Sequence, residues 1–201
     1  MRPGATLDVS ALPATAFGPR TTIWWGVVGL LAIEGTMFGI LISSYFYLSK
    51  NFSTWPPLGT PPPDLGAASA NMVLLLASIW PMRAAHRAAF KSQRRPIWVA
   101  LAICTAIGFA ALALRAFEFR AMHIRWDANA YGSIVWTTLG MHTGHLIAST
   151  LENILLMLLM RAGPVERKHF VDVNVNAVYW YFVVLAWLPV YAIIYFAPRA
   201  L

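Results

Sequence analysis

Charge is what this sequence has least of. Only 11 % of its 201 residues are Asp, Glu, Lys or Arg, against about a quarter in a soluble domain. That scarcity excludes a chain whose whole surface faces water. Cysteine is almost missing too. Cys104 stands alone inside an apolar run, so no internal disulfide and no thiolate cluster for zinc or iron–sulfur can form; it reads as a small buried hydrophobe. The first residues, MRPGATLDVSALPATAFGPR, lack the apolar core of a secretory signal. Residues 1–21 read as a polar cytoplasmic extension, followed by an uncleaved first span. Neither Glu-x-x-His nor His-Glu-x-x-His occurs on any apolar segment, which removes the usual di-iron bundle and zinc-protease patterns. No long polar domain separates the apolar runs. The net charge of +7 does not point to nucleic acid, because the basic residues sit in short connections and form no patch interleaved with exposed aromatics.

What the chain does have is apolar length. Hydrophobic residues make up 59 % of it. They gather into five segments, at 22–48, 65–89, 96–122, 131–160 and 173–196, each near the roughly 20 residues that cross a bilayer. The expected fold is all-α, a polytopic membrane bundle of five transmembrane helices filling residues 22–201. The second segment is interrupted by Pro81, with Arg83, His86 and Arg87 soon after; their long side chains can snorkel from a helix that continues past the proline. Basic residues alternate in density. Arg83, Arg87, Lys91, Arg94 and Arg95 lie between spans two and three, Arg161, Arg167 and Lys168 between four and five, and Arg2 and Arg20 before span one. The positive-inside rule then places the N-terminus in the cytoplasm and the C-terminus outside. The proline-rich connection NFSTWPPLGTPPPDLG reads as an ordered external cap. Trp55 within it, like Trp24, Trp25, Trp98 and Trp126, reads as an interfacial anchor. Pro189 is expected to kink span five.

Ionisable residues inside these spans carry the functional signal, because each is costly in hydrocarbon and needs a reason to be there. His142, His145, Ser149 and Glu152 fall within an arc of roughly 80° on one helix. Gly140, Gly144 and Ala148 form a small-residue stripe on another side, which predicts close helix packing. Glu34 lies near the middle of span one, flanked by Gly35 and Gly39 at GxxxG spacing. It reads either as a proton-handling carboxylate or as a structural hydrogen bond between helices. Arg115 and Glu118, three apart near the outer end of span three, read as an ion pair or as a holder for a lipid phosphate. The two histidines with Glu34, Glu118 and Glu152 compose a metal site on paper only; with no Glu-x-x-His, buried histidines bonded to Glu34 or to backbone carbonyls are favoured.

The order of these residues resembles subunit III of the haem–copper respiratory oxidases in its five-span form. The resemblance is carried by Ile33-Glu34-Gly35-Thr36-Met37-Phe38, the run Tyr45-Phe46-Tyr47, Trp55-Pro56-Pro57, Phe117-Glu118-Phe119, Tyr131-Gly132-Ser133, the His142/His145 pair, and Val178-Tyr179-Trp180-Tyr181-Phe182-Val183-Val184 with Trp187, Leu188 and Tyr191. It runs from about residue 33 to 196. Tyr181 and Val184 stand where the family pattern has His and Asp, so the polar contacts made there in the family are not expected here. The longer form adds two N-terminal helices that help to enclose a lipid-filled cleft.

The resemblance implies a non-catalytic accessory subunit of a proton-pumping terminal oxidase in a bacterial inner membrane. It implies no redox centre in this chain, haem and copper in partner subunits, packing against catalytic subunit I with subunit II in the complex, bound phospholipid, and support of proton uptake. Glu34 becomes the family's buried carboxylate, expected to meet the His142/His145 face. Glu34 and His142 both lie roughly 16–18 Å from their span ends at 1.5 Å per residue, so their depths agree. Two other readings stay open on the sequence: a related component of a nitric oxide reductase system, and a stand-alone proton channel or transporter.

Overall fold

A computed structural model describes residues 22–200, which leaves the extension at 1–21 outside the described residues. Five long helices, α1 (Thr22–Lys50), α2 (Leu65–Phe90), α3 (Arg94–Arg120), α4 (Ala130–Ala162) and α5 (Arg167–Tyr191), account for nearly all of it. Each is long and apolar enough to cross a membrane. No strand occurs among the described residues. This is the all-α, five-span bundle that the apolar segments predict.

The helices form a layered bundle in which α3 packs between α2 and α4, and α5 closes against both α2 and α4. α1 lies outside this group, on α4 and α5, and most of its surface is exposed. The core is concentrated where α2 to α5 converge, around Leu75, Met82, Leu101, Leu139, Leu146, Trp180 and Trp187.

α2 passes through Pro81 without ending, as expected of a proline whose freed carbonyl can be re-satisfied inside a membrane bundle. α5 begins at Arg167, six residues earlier than its apolar run suggests. Arg167, Lys168, His169 and Asp172 hide the helix from a hydropathy reading. The Glu166 backbone N–H donates to His169 Nδ1 at 2.9 Å and so satisfies one group at that start. Beyond Pro189 the helix continues to Tyr191, widens into a π segment at Ala192–Phe196, and ends in the short α6 (Ala197–Ala200).

Two connections fix the far end of the bundle. Trp55 is not a lipid-facing anchor. It is buried, edge-on to Tyr45 and Tyr131 at ring separations of 5.5 and 5.3 Å, and seals the α1–α2 connection over the bundle. The Asn129 side chain accepts from Gly132 N at 2.9 Å and caps α4. A Cβ at Gly132 would collide with the Arg125 carbonyl, so this turn requires glycine. Arg125 and Asp127 clamp the same connection through two hydrogen bonds of 2.9 and 2.8 Å. The Arg125 guanidinium holds the Asp127 carboxyl below its usual range. A carboxyl with a lowered folded value contributes stability above its unfolded value and loses it as pH falls through the folded one. Thermal unfolding of wild type and Asp127→Asn is therefore expected to converge only in acid. Divergence appearing above neutral pH instead would contradict this assignment. At the opposite end, Arg94 reaches the Met160 and Gly163 carbonyls and ties the α2–α3 turn to the end of α4.

Candidate functional site

The intramembrane polar residues separate into two groups that share helix α4. Glu34 and His145 form the first. His145 Nδ1 lies 2.7 Å from the Met141 carbonyl, which can only accept, so Nδ1 carries a hydrogen. His145 Nε2 lies 2.6 Å from Glu34 Oε2. With Nδ1 committed as a donor, the short Nε2–Oε2 contact requires one proton between the two groups. That proton can rest on the imidazole as an ion pair or on the carboxyl as a neutral pair. The site is thus a shared-proton bridge between α1 and α4. Its side chains keep 17 % (Glu34) and 12 % (His145) of their exposure, so the proton is not sealed from the protein surface. Phe38, with ring centroids 5.2 Å from His145, covers the bridge on one side.

The second group is enclosed. The Arg115 guanidinium donates to Glu118 Oε2 at 2.8 Å, and their side chains are 1 % and 0 % exposed. Asn71 Nδ2 donates to Glu118 Oε1 at 2.6 Å, and Tyr195 Oη donates to Glu118 Oε2 at 3.0 Å. The carboxylate therefore takes donors from α2, its own helix and the π segment. Arg115 also reaches His142 Nδ1 at 3.1 Å and lies 3.8 Å from the centre of the Trp187 ring. Because guanidinium can only donate, His142 Nδ1 accepts; its Nε2 then donates to the Val183 carbonyl at 3.0 Å. His142 is held as the neutral Nε2–H tautomer, fixed from both sides. Burial of two opposite charges is tolerated here because both are paired and hydrogen-bonded.

Glu34 therefore reaches only one of the two histidines. His142 turns away from it to the Arg115–Glu118 network. Ser149 is buried on the same side of α4, and Glu152 stays half-buried toward the other end of the helix, in the field of Asp172 and away from both groups. The lipid-phosphate reading of Arg115 is corrected: at 1 % exposure no headgroup reaches its guanidinium. The glycine stripes also need correction. A Cβ added at Gly39, Gly140 or Gly144 meets no heavy atom within 4 Å, at Gly35 it only just touches the Phe182 ring, and Ala148 is exposed. None of the stripes packs a helix tightly within this chain. The tight contact is elsewhere, at Gly108 of α3, where a Cβ would lie 2.5 Å from Thr150 Oγ1 and 3.0 Å from its methyl group.

Several contributors escape a reading by span. Asn71 and Tyr195 complete the Glu118 shell. The Trp180 indole donates to Ser78 at 2.8 Å, and Asn176 donates to Asn153 at 2.8 Å across α4 and α5. A polar amide such as Asn71 within NMVLLLASIW was a usable signal. Tyr195 was not, because its role depends on the π segment that redirects it. At the two departures from the family pattern, Val184 is part of the core and the Tyr181 hydroxyl has no hydrogen-bond partner. Among the described residues no three His, Cys, Asp or Glu side chains converge as a metal site would need.

Comparison with known proteins places these features in a family. The family model described as cytochrome c oxidase subunit III matches residues 16–198. Among similar proteins, cytochrome c oxidase subunit 3 of Synechocystis sp. is 25 % identical, over 85 % of this chain and 74 % of its own length. The protein of the same name from Struthio camelus is 31 % identical, over 85 % of this chain and 68 % of its own. The Schizophyllum commune protein of that name is 26 % identical, over 72 % and 54 % respectively, so the chain spans only about half the length of some relatives. With nearly every residue from 16 onward matched to one family model, and five spans in the bundle, the chain belongs to the cytochrome c oxidase subunit III family.

Proposed function

We propose that this chain is a non-catalytic accessory subunit of a proton-pumping terminal oxidase, packed against a catalytic subunit I that carries haem and copper, with subunit II in the same complex. On this reading it sits in the cytoplasmic membrane of a bacterium, with residues 1–21 and both basic connections in the cytoplasm and the C-terminus outside. It stabilises subunit I, holds phospholipid and supports proton uptake. The single observation that carries the last role is the Glu34–His145 bridge, a shared proton at mid-membrane depth that keeps partial access to the surface. The relatives' names favour the oxidase over a nitric oxide reductase system, and no observation favours a stand-alone channel.

Two measurements test this. A tagged chain purified in mild detergent is expected to bring down a haem protein, seen in its optical spectrum. Recovery of the chain without haem absorbance, together with proton flux from the chain alone in liposomes, would replace the accessory role by a channel. Glu34→Gln keeps a hydrogen-bonding group opposite His145 but removes the shared proton. Turnover of the complex is expected to change by far less than the roughly 100-fold that loss of a catalytic proton donor costs, with haem content unchanged. Loss of haem from that variant would contradict a local, supporting role for Glu34.

A further inference from the structure

We infer that the cavity between the ends of α1, α2 and α5 is a binding site for the head of a membrane quinone, a flat ring with two opposed oxygens and a hydrocarbon tail. The inference does not depend on the accessory role proposed above and includes no electron transfer. The cavity, about 550 Å³, has the size of a small-ligand pocket. Trp24 of α1, Phe90 of α2 and Phe170 of α5 supply aromatic walls. Such walls favour a flat ring over a flexible chain, because stacked rings gain attraction beyond the area they bury. Phe90 is 74 % exposed, yet it stands on the His86 ring at a centroid separation of 5.2 Å and an inclination of 25°. The two rings form a stacking platform that is left open among the described residues.

Polar groups line the cavity at two levels. His86 is the inner one. Unlike His142 and His145, it makes no hydrogen bond among the described residues, and neither ring nitrogen is enclosed. One nitrogen donates to a carbonyl and the other accepts from a hydroxyl, so the imidazole suits the oxidised and the reduced ring alike. Arg167 is the outer group. It is exposed, and among the described residues no carboxylate pairs with it; the adjacent Glu166 is taken by Lys168 at 2.8 Å. The Ser69–Tyr191 and Ser78–Trp180 hydrogen bonds fix α2 antiparallel on α5. That register sets His86 level with about residue 173 of α5, which leaves Arg167 about 9 Å away along the bundle at 1.5 Å per residue. The two oxygens of a 1,4-quinone are about 5 Å apart and a donor stands about 3 Å beyond each, so donors about 11 Å apart span the ring. The long arginine side chain covers the difference. Val175 and Val178 lie inward of this level and suit the tail. A phosphate would use Arg167 alone and leave His86 and the stacking platform without a role.

Native mass spectrometry of the full chain in mild detergent, titrated with decylubiquinone, tests the site. Wild type is expected to retain one molecule. His86→Leu and Phe90→Ala are each expected to weaken retention by about tenfold, the effect of one lost hydrogen bond or one lost ring contact. Arg167→Leu is expected to weaken it several-fold. His86→Gln, which keeps a donor and an acceptor, is expected to lose less than His86→Leu. Trp80→Ala, on an exposed stretch of α2 outside the cavity, is expected to change nothing. Decylbenzene has the tail and a ring without oxygens, and is expected to bind at least tenfold more weakly. Equimolar phosphatidylglycerol is expected not to displace the quinone. Equal retention of decylbenzene, or equal retention of decylubiquinone by wild type, His86→Leu and Phe90→Ala, overturns the site. Displacement by equimolar phosphatidylglycerol assigns the cavity to a phospholipid and overturns the quinone. No decylubiquinone on wild type overturns the inference and leaves the accessory role standing. Phe90 and Arg167 are exposed, so their variants keep the test decisive should His86→Leu fail to fold.

Discussion

Glu118→Ala is expected to destabilise the folded subunit by about 3–5 kcal/mol, the usual cost of stranding one partner of a buried ion pair. The residue left behind is Arg115, a guanidinium 1 % exposed in the interior of the bundle. Asn71 and Tyr195 lose their acceptor at the same time, and each orphaned donor adds to the cost. The neutral tautomer of His142 is expected to lose its constraint as Arg115 shifts, because Arg115 is the donor to Nδ1. Denaturant unfolding of the purified chain in detergent measures the effect. The double variant Arg115→Met/Glu118→Leu removes both charges and is expected to recover a large part of the loss, since an apolar pair of similar volume often matches a buried ion pair. Recovery stays incomplete, because His142 Nδ1, Asn71 and Tyr195 remain without partners. A single-variant cost below about 1 kcal/mol, the range of a solvated pair, would show that water reaches this pair and that the enclosed network is wrongly assigned.

Gly108→Leu and Gly144→Leu are expected to separate folding from assembly. At Gly108 even a Cβ falls 2.5 Å from Thr150 Oγ1 and 3.3 Å from Thr150 Cβ. Thr150 cannot swing aside cheaply. It is β-branched and its hydroxyl donates to the Leu146 carbonyl at 2.7 Å. Leucine there must push α3 from α4, at a cost of about 1–3 kcal/mol or more. At Gly144 nothing lies within 4 Å of an added Cβ, so the same substitution is expected to leave the isolated chain's unfolding unchanged. On the accessory role proposed above, this open face is where another subunit would pack, and the variant is then expected to lower co-purification of a haem protein. Unfolding of each isolated variant and the haem recovered with it give the two readouts. An isolated chain destabilised more by Gly144→Leu than by Gly108→Leu would invert this assignment.

Those two glycines mark the limit of what spacing reveals. Gly140, Gly144 and Ala148 recur every four residues and predict a helix contact, yet within this chain they face outward. Gly108 has no such pattern and makes the tight contact. Likewise, depth along the spans brings Glu34 level with both histidines, but only His145 is turned toward it. His142, one turn earlier, is turned to Arg115. The start of α5 was hidden for a different reason: Arg167, Lys168, His169 and Asp172 make its first turn and a half largely polar, and a hydropathy reading starts only where that ends.

The number of spans, the positions of the ionisable residues along them and the family were determined by the sequence itself. Hydropathy summed over about 20 residues is a one-dimensional property, and a buried charge is conspicuous in it. Which polar groups meet was decided only by the tertiary structure. In a water-soluble helix the polar face points to solvent and fixes the rotation. Here lipid and protein core are both apolar, so a mostly apolar helix carries little record of its own rotation about its axis. Packing of side chains sets that rotation, and with it the division of two neighbouring histidines between a shared-proton bridge and an enclosed ion-pair network.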